Sequence, residues 1–306
     1  MVADQKLPWP LNCNESLIGL IAEITGEPET TVTHRLLQEE RCLGWNVRED
    51  LKAHKLIPHQ WHEDLVKFYS DTNAFLYETA VWNRRPLKRQ FRQWILNYLE
   101  MNIAKPCRIL SYGDGLGFDS LFWSQTNHDV TYFEVSTDCI RFAQQVFNRN
   151  GAEVRQITNE LELSKQPFDL IICLDVLEHV PVPPELLAKF NQWLNPAGLL
   201  ISHAPFFLIH PYYATHLMSN RKWSGSLDLY RDQGFQPINS RLFWDPIVLQ
   251  KTEAGQQIAR PPLQTRLGTH LLRYGRGPLG FIHCQVARYL SSGQALWVTD
   301  LQNRID

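Results

Sequence analysis

The chain has 306 residues, 44% hydrophobic and 20% charged, with a formal net charge of −2. That balance excludes a disordered polymer, allows one large core or two modest ones, and leaves no global charge to draw the protein to nucleic acid or a membrane surface. Cys13, Cys42, Cys107, Cys139, Cys173 and Cys284 lie far apart with no C-x-x-C pair, which excludes a zinc ribbon or a dithiol redox motif. Neither a signal-peptide pattern nor an apolar run of about 18 residues occurs, so the expected setting is the reducing cytoplasm.

In chain order, Pro8 and Pro10 make an irregular start, and Asn14-Glu-Ser16 offers N-caps to a helix through Leu17 and Ile24, stopped by Gly26. A second helix opens at Pro28 and closes at Gly44. It offers only His34 and Arg35 towards nucleic acid, too few for base recognition, so no nucleic-acid partner is expected. Leu56 to Leu99 reads as two or three longer helices. Their apolar residues recur at helical spacing: Trp61, Leu65, Phe68 and Tyr69, then Phe75, Leu76, Tyr77 and Trp82, and after Pro86 Phe91, Trp94, Ile95 and Tyr98. Arg84, Arg85, Lys88, Arg89 and Arg92 form a basic cluster, read first as a solvated helix face and second as a surface for an anionic substrate or partner. Residues 1–104 are thus expected to form a helical region of their own.

Ile109-Leu110 is a short buried strand that breaks into Gly113, Gly115 and Gly117 before a helix resumes with Leu121, Phe122 and Trp123. Strand, glycine turn and helix suit a nucleotide-like ligand, because backbone without a Cβ approaches closely and the helix N-terminus faces the same spot. A second strand, Val130 to Phe133, ends in Glu134. An acid about 20 residues beyond the first glycine can accept hydrogen bonds from a ribose diol. A helix over 138–150 and a strand over 154–157 follow, with Asn159 and Glu160 in the next loop. Leu170 to Leu174 runs into Asp175, Glu178 and His179. A helix from Pro184 to Trp193, a turn over 194–198 and a strand from Leu199 to His203 come next, and His210 follows. Short apolar strands alternating with helices predict an α/β fold with a doubly wound parallel sheet and a ligand at the strands' carboxyl ends. Both dinucleotide-dependent oxidoreductases and methyltransferases are built this way.

Taken as a set, the glycine turn, Glu134, Phe168-Asp-Leu-Ile-Ile-Cys-Leu-Asp-Val-Leu-Glu-His-Val180 and Leu194-Asn-Pro-Ala-Gly-Leu-Leu-Ile201 resemble the class I S-adenosylmethionine-dependent methyltransferases. The small-molecule O-methyltransferase-like members with a D-V-L-E-H-V segment are nearest. The resemblance runs from Lys105 to Gln250, so residues 105–251 are read as the methyltransferase domain. It implies a Rossmann-like, seven-stranded, mostly parallel sheet, closed by an antiparallel hairpin for which Pro237–Phe243 and Pro246–Gln250 are available. It also implies S-adenosyl-L-methionine as cofactor and methyl transfer to an oxygen or nitrogen of a small-molecule acceptor. On that resemblance Gly113, Asp114, Gly115, Gly117 and Asp119 hold the methionine part, Glu134 the ribose, and Asn159 or Glu160 the adenine. Helices ahead of the sheet would cover the site, with Tyr69, Tyr77 and Trp82 as lid candidates. The family usually has an acid where this chain has Ser111, so Asp114 or Asp119 takes over part of its work or the cofactor binds more weakly.

Asp175, Glu178, His179 and His203 are the catalytic candidates. His179 is the first choice as general base, since its ordinary pKa suits proton removal near neutrality. Asp175, Glu178 and His179 could instead hold a divalent ion, or Glu178 and His179 could simply order their loop; the reading adopted is a base and no metal. Two rival functions stay open. A nicotinamide-dependent oxidoreductase leaves Asp175 to His179 unexplained, and a methyltransferase-like binding module without catalysis is favoured by Ser111. Residues 252–306 lie outside the resemblance. Arg260, Arg266, Arg273, Arg276 and Arg288 occur there with no acid between Glu253 and Asp300, beside a partial stripe of Leu263, Leu267, Leu271 and Leu272. Such a basic amphipathic extension can touch an anionic surface, pack back on the body or form a homodimer contact.

Overall fold

The computed structural model describes residues 6–252, 260–274 and 295–305, with Ile282, Gln285, Val286 and Tyr289 as isolated positions between them. Cys284, Arg276 and Arg288 lie outside the described residues. Ahead of the first strand run α1 (Asn14–Thr25), α2 (Glu29–Arg41), α3 (Trp45–Ala53), α4 (Asp64–Asp71), α5 (Ala74–Arg84) and α6 (Pro86–Asn102). The cap of α1 is Cys13, whose sulfur accepts from the Ser16 N–H, rather than Asn14 or Ser16. Gly44, expected as a stop, is also the N-cap of α3, which fills the stretch between the second expected helix and Leu56. Pro86 occupies the first turn of α6, where its missing N–H costs no helical bond.

The sheet contains β1 (Arg108–Tyr112), β2 (Asp129–Phe133), β3 (Arg155–Ile157), β4 (Phe168–Leu174), β5 (Leu194–His203), β6 (Phe235–Ser240) and β7 (Ile247–Lys251). Its order is β3-β2-β1-β4-β5-β7-β6. The pairs among β1 to β5 are parallel. β7 enters antiparallel between β5 and β6, which is the expected closing hairpin. The fold is the Rossmann-like sheet with flanking helices: α7 (Phe118–Ser124), α8 (Thr137–Asn150) and α9 (Pro183–Trp193) connect the parallel strands. The stretch 194–198, expected as a turn, belongs to β5; Leu194 pairs with Phe168, and the register slips before Leu170.

Alternate strand residues serve opposite layers, as the pleat requires. Ile109, Leu170, Ile172 and Val248 pack with Ile95 and Leu99 of α6 on one face. Leu110, Ile171, Cys173 and Leu249 pack with Leu187 and Phe190 of α9 on the other. Strand order reverses between β1 and β4, since β2 and β3 build outward on one side and β5 on the other, so the loops after these two parallel strands, carrying Gly113 and Asp175, open onto one crevice.

The basic cluster is not a solvated face. Arg84, Arg85, Lys88 and Arg92 are all buried. Glu40 of α2 lies 3.6 Å from Arg84 and 3.1 Å from Arg85, while Lys88 and Arg92 meet acids of the sheet layer. Buried charges of this kind persist only when paired. The helix Ala295–Ile305 returns to the start of the chain, where Asn14 donates to Asp300 at 2.7 Å and Arg84 stacks 4.1 Å from the Trp297 ring. Among the described residues no helix is long and apolar enough to cross a membrane.

Candidate functional site

The crevice opens into a cavity of about 960 Å³ lined by the glycine turn, the ends of β2, β4 and β5, and the inner faces of α4, α5 and α6. At its floor Gly113, Gly115 and Gly117 all have positive φ. A Cβ on Gly117 would stand 2.7 Å from the Phe147 ring, so this glycine lets α7 pack on α8; a Cβ on Gly115 would face Thr79 of α5 at 3.2 Å. Glu134 ties the end of β2 to this turn, accepting from the N–H groups of Gly115 (2.9 Å), Val135 (2.7 Å) and Ser136 (3.0 Å). Burial raises its pKa, and those three bonds offset the rise in part.

Ser111 is buried inside β1, and the nearby negative charge comes from the α7 side of the turn. Asp114 accepts from the N–H groups of Asp119 (3.1 Å) and Ser120 (2.6 Å), capping α7. Burial, followed by the neighbouring Asp119, pushes Asp114 up to about 7. Asp119 itself is ionised despite its burial, because Lys88 (3.0 Å) and Arg92 (2.8 Å) hold it.

Asp175, at the end of β4, adopts a left-handed φ of 60°. Its carboxylate accepts from Trp82 Nε1 (2.9 Å), Lys88 Nζ (3.3 Å) and His203 Nδ1 (2.6 Å). Burial opposes its charge, but Lys88 and His203 outweigh burial and hold the carboxyl well below the usual range. The other ring nitrogen of His203 lies 3.2 Å from Asp245. Burial also opposes the imidazolium, yet the two aspartates raise it to about 10. His203 therefore donates from both nitrogens and has no lone pair to accept a proton.

Glu178 and His179 stand apart from that network. Glu178 is 1% exposed, and neither carboxylate oxygen has a hydrogen-bond partner among the described residues. Burial, then the charge of Asp175, pushes its pKa to about 8. His179 Nδ1 lies 3.2 Å from the Tyr69 hydroxyl and Nε2 3.9 Å from Glu178. Burial lowers His179 to about 4, so its ring is neutral at pH 7. His216 meets the His179 ring edge-on at 4.7 Å between centroids. Ligand-capable atoms of Glu178, His179 and His216 all lie within 4.8 Å of one another, a set able to hold a cation; Asp175 is not part of it.

Gly113, Asp114, Gly115, Asp119, Glu134, Asp175, Glu178, His179 and His203 all line this one cavity. Gly117 supports the turn from behind. Asn159 and Glu160 are not in the lining: Asn159 caps the next helical turn, and Glu160 accepts from Tyr112 (2.9 Å) and pairs with Lys189 (2.6 Å). His210 also lies outside it. Of the lid candidates, Tyr69 and Trp82 line the cavity, while Tyr77 is fully buried and donates its hydroxyl to Glu27.

Lining residues that escaped the sequence reading include Glu78, Lys88 as a site residue, His216 and Asp245. Glu78 has no ion-pair or hydrogen-bond partner among the described residues, and burial, then Glu39 and Asp175, raises its pKa. The available signal was its position one turn before Trp82, which puts both on one face of α5.

A family described as a methyltransferase domain matches residues 82–239, just over half of the chain. The ubiquinone biosynthesis O-methyltransferase of Leptothrix cholodnii is 28% identical over 121 residues, covering 37% of this chain and 51% of that protein. The enzyme of the same name from Pseudomonas entomophila is 32% identical over 95 residues, covering 30% and 41%. The chain thus spans about half the length of the curated relatives it matches. Among solved structures, the N-methyltransferase NodS of Bradyrhizobium japonicum in complex with S-adenosyl-L-homocysteine is similar, with 13% identity, a TM-score of 0.43, and coverage of 62% of this chain and 98% of that one.

Proposed function

The chain belongs to the methyltransferase-domain family, and from that premise we propose that it transfers the methyl group of S-adenosyl-L-methionine to an oxygen, or a nitrogen, of a small apolar acceptor. The carrying observation is that a single cavity joins the glycine turn and Glu134 to Glu178 and His179. At about 960 Å³ it stands at the upper end of small-molecule pockets, about 300–1,000 Å³, and has room for two ligands side by side.

The residues fit the cofactor. Gly113 and Gly115 leave backbone open to it, Glu134 offers a carboxylate to a ribose diol, and Val135 and Ser136, rather than Asn159 or Glu160, border the adenine end. S-adenosyl-L-methionine, when bound, supplies an electrophilic methyl group. The protein supplies position: α4 to α6 close over the crevice, hold the acceptor in line and exclude water. The described residues of the 1–104 region thus act as the cap, and Leu271 and Leu272 of the 252–306 extension add to its lining.

His179 is neutral and faces the cavity, so it accepts the acceptor's proton as a hydroxyl is methylated. Glu178, next to its Nε2, stabilises the resulting imidazolium once ionised. Asp175, Lys88 and His203 form a fixed charged floor beside this pair, and the Asp175 charge acts on Glu178 by raising its pKa. A second reading rests on the Glu178, His179 and His216 cluster, which could hold a divalent cation that polarises the acceptor oxygen. The setting proposed is the cytoplasm, where a reducing environment keeps the five described cysteines as free thiols.

The test is calorimetric titration with S-adenosyl-L-methionine and NAD, followed by transfer of a labelled methyl group to a panel of apolar phenols and amines. Binding of the first and labelling of a phenol are expected. Binding of NAD alone would favour an oxidoreductase, and binding without transfer to any acceptor a non-catalytic module. Loss of transfer on chelation, restored by a divalent ion, would favour the metal reading.

A further inference from the structure

The helix beyond β7 is amphipathic in an inverted sense. α11 (Leu263–Tyr274; α10 is the short Asp228–Arg231) turns its small residues inward. Thr265 is fully buried and its carbonyl accepts from Trp244 Nε1 at 2.6 Å. Gly268 lies so near Trp244 that a Cβ there would meet the ring at 2.6 Å. The large side chains point out: Leu263 is 66% exposed, Leu267 54%, Leu271 41% and Tyr274 64%. Their spacing makes a single stripe, and an apolar stripe of this kind on a surface marks an interaction site.

The stripe runs into the mouth of the cavity. Leu271 belongs to both. Beside it Leu242 and Phe243 are exposed cavity-lining residues, with Phe243 and Trp244 both at positive φ, a strained turn that sends Phe243 outward and Trp244 under α11. Trp61 and Val66 are exposed on the rim contributed by the segment around α4. The mouth of an apolar cavity is therefore ringed with apolar side chains.

Charge selects the occupant. Arg260, Arg266 and Arg273 accompany the stripe, and the sequence has no acid between Glu253 and Asp300. Two copies of such a face would set like charges together, whereas an anionic lipid surface attracts it. We propose that the α11 stripe and the cavity rim seat the protein on an anionic bilayer, so that an apolar acceptor passes from the acyl region into the cavity without crossing water. The identity of that cargo rests on the methyltransferase reading; the lipid contact does not.

The experiment is flotation of the full chain with vesicles of phosphatidylcholine alone, or of phosphatidylcholine with phosphatidylglycerol. Wild type is expected to float with the mixed vesicles and much less with the neutral ones. Leu263→Glu with Leu267→Glu, both on exposed sites away from the catalytic groups, should lower bound protein about tenfold or more. Its circular dichroism and its affinity for S-adenosyl-L-homocysteine should stay unchanged. Wild type that floats with neither vesicle, or a double variant that floats like wild type, overturns the proposal. So does a lipid-free wild-type dimer, seen by light scattering, that the double variant converts to monomer. Flotation without any binding of S-adenosyl-L-homocysteine would instead sink the methyltransferase reading and leave the docking surface standing.

Discussion

His203 Nδ1 donates to Asp175 Oδ1 across 2.6 Å, and the bond fixes the charge of both partners. With Asp245 on its other nitrogen, His203 is a permanent cation at neutral pH, and Asp175 a permanent anion. Two of the four residues that looked catalytic in sequence are therefore locked in one charge state as a scaffold, and the proposed mechanism assigns the protonation change to the remaining pair, Glu178 and His179.

That scaffold has a pH signature. His203 titrates near 10 in the fold against an ordinary 6.5, so its contribution to stability is complete below the ordinary value and is lost as pH climbs towards the raised one. Thermal denaturation of wild type should show the melting temperature falling from neutrality into the alkaline range, with a flatter slope in His203→Gln. The variant should also lose about 3–5 kcal/mol in urea titration at mildly acidic pH, because it strands Asp175 and Asp245. A wild-type slope in the variant would mean that His203 is not charged in the fold.

The rate of methyl transfer should rise with pH through about 8, the value to which burial and Asp175 push Glu178. His179, pushed down to about 4, is already neutral and adds no limb near neutrality. In Glu178→Gln the limb should vanish, and in His179→Asn turnover should fall by about 10²–10⁴ with cofactor affinity unchanged. Steady-state rates across pH decide it, and full turnover in His179→Asn would remove it as the base.

Glu134→Gln should weaken binding of S-adenosyl-L-methionine by about 1.5–3 kcal/mol, the scale of a hydrogen bond to a charged group. The amide keeps the size of the side chain but can accept through only one atom, whereas the acid now serves Gly115, Val135 and Ser136 with both oxygens. Calorimetry on the two proteins measures the difference, and equal affinities would take Glu134 out of the ribose site.

Gly115 and Gly117 should separate binding from folding. An alanine at Gly117 meets the Phe147 ring at 2.7 Å and Ala143 at 2.8 Å, an overpacking worth about 1–3 kcal/mol of stability. An alanine at Gly115 has only the Thr79 methyl at 3.2 Å, so its larger effect should fall on cofactor affinity. Paired denaturation and titration curves test this. A Gly117→Ala protein as stable as wild type would contradict the packing described for α7 on α8.

The sheet was legible because each parallel strand is a short apolar run and Gly113, Gly115 and Gly117 punctuate the first crossover. Local pattern also revealed Glu134 and the Asp175 to His179 segment, since both stand at strand ends. Pairing across the fold was not legible. Arg84 and Arg85 read as solvent-facing because their partner, Glu40, lies on another helix, and Lys88 because Asp119 and Asp175 follow in later elements. Asn159 looked free beside the third strand, yet it spends its side chain on the Leu161 N–H. Glu78 drew no notice because an acid inside an apolar helix is usually on its wet side, and here that side faces the cavity.

The helix Ala295–Ile305 gives the order of synthesis a consequence for the other end of the molecule. Arg84 and Glu40 pair in the helical layer made early, but Trp297, which covers the Arg84 guanidinium, is made late. Until that helix leaves the ribosome the Arg84 guanidinium lacks this cover, so the nascent layer is expected to close around it less tightly. A protease challenge of stalled nascent chains should find α1 and α2 cut readily when the chain ends after residue 252 and protected once 295–305 has emerged.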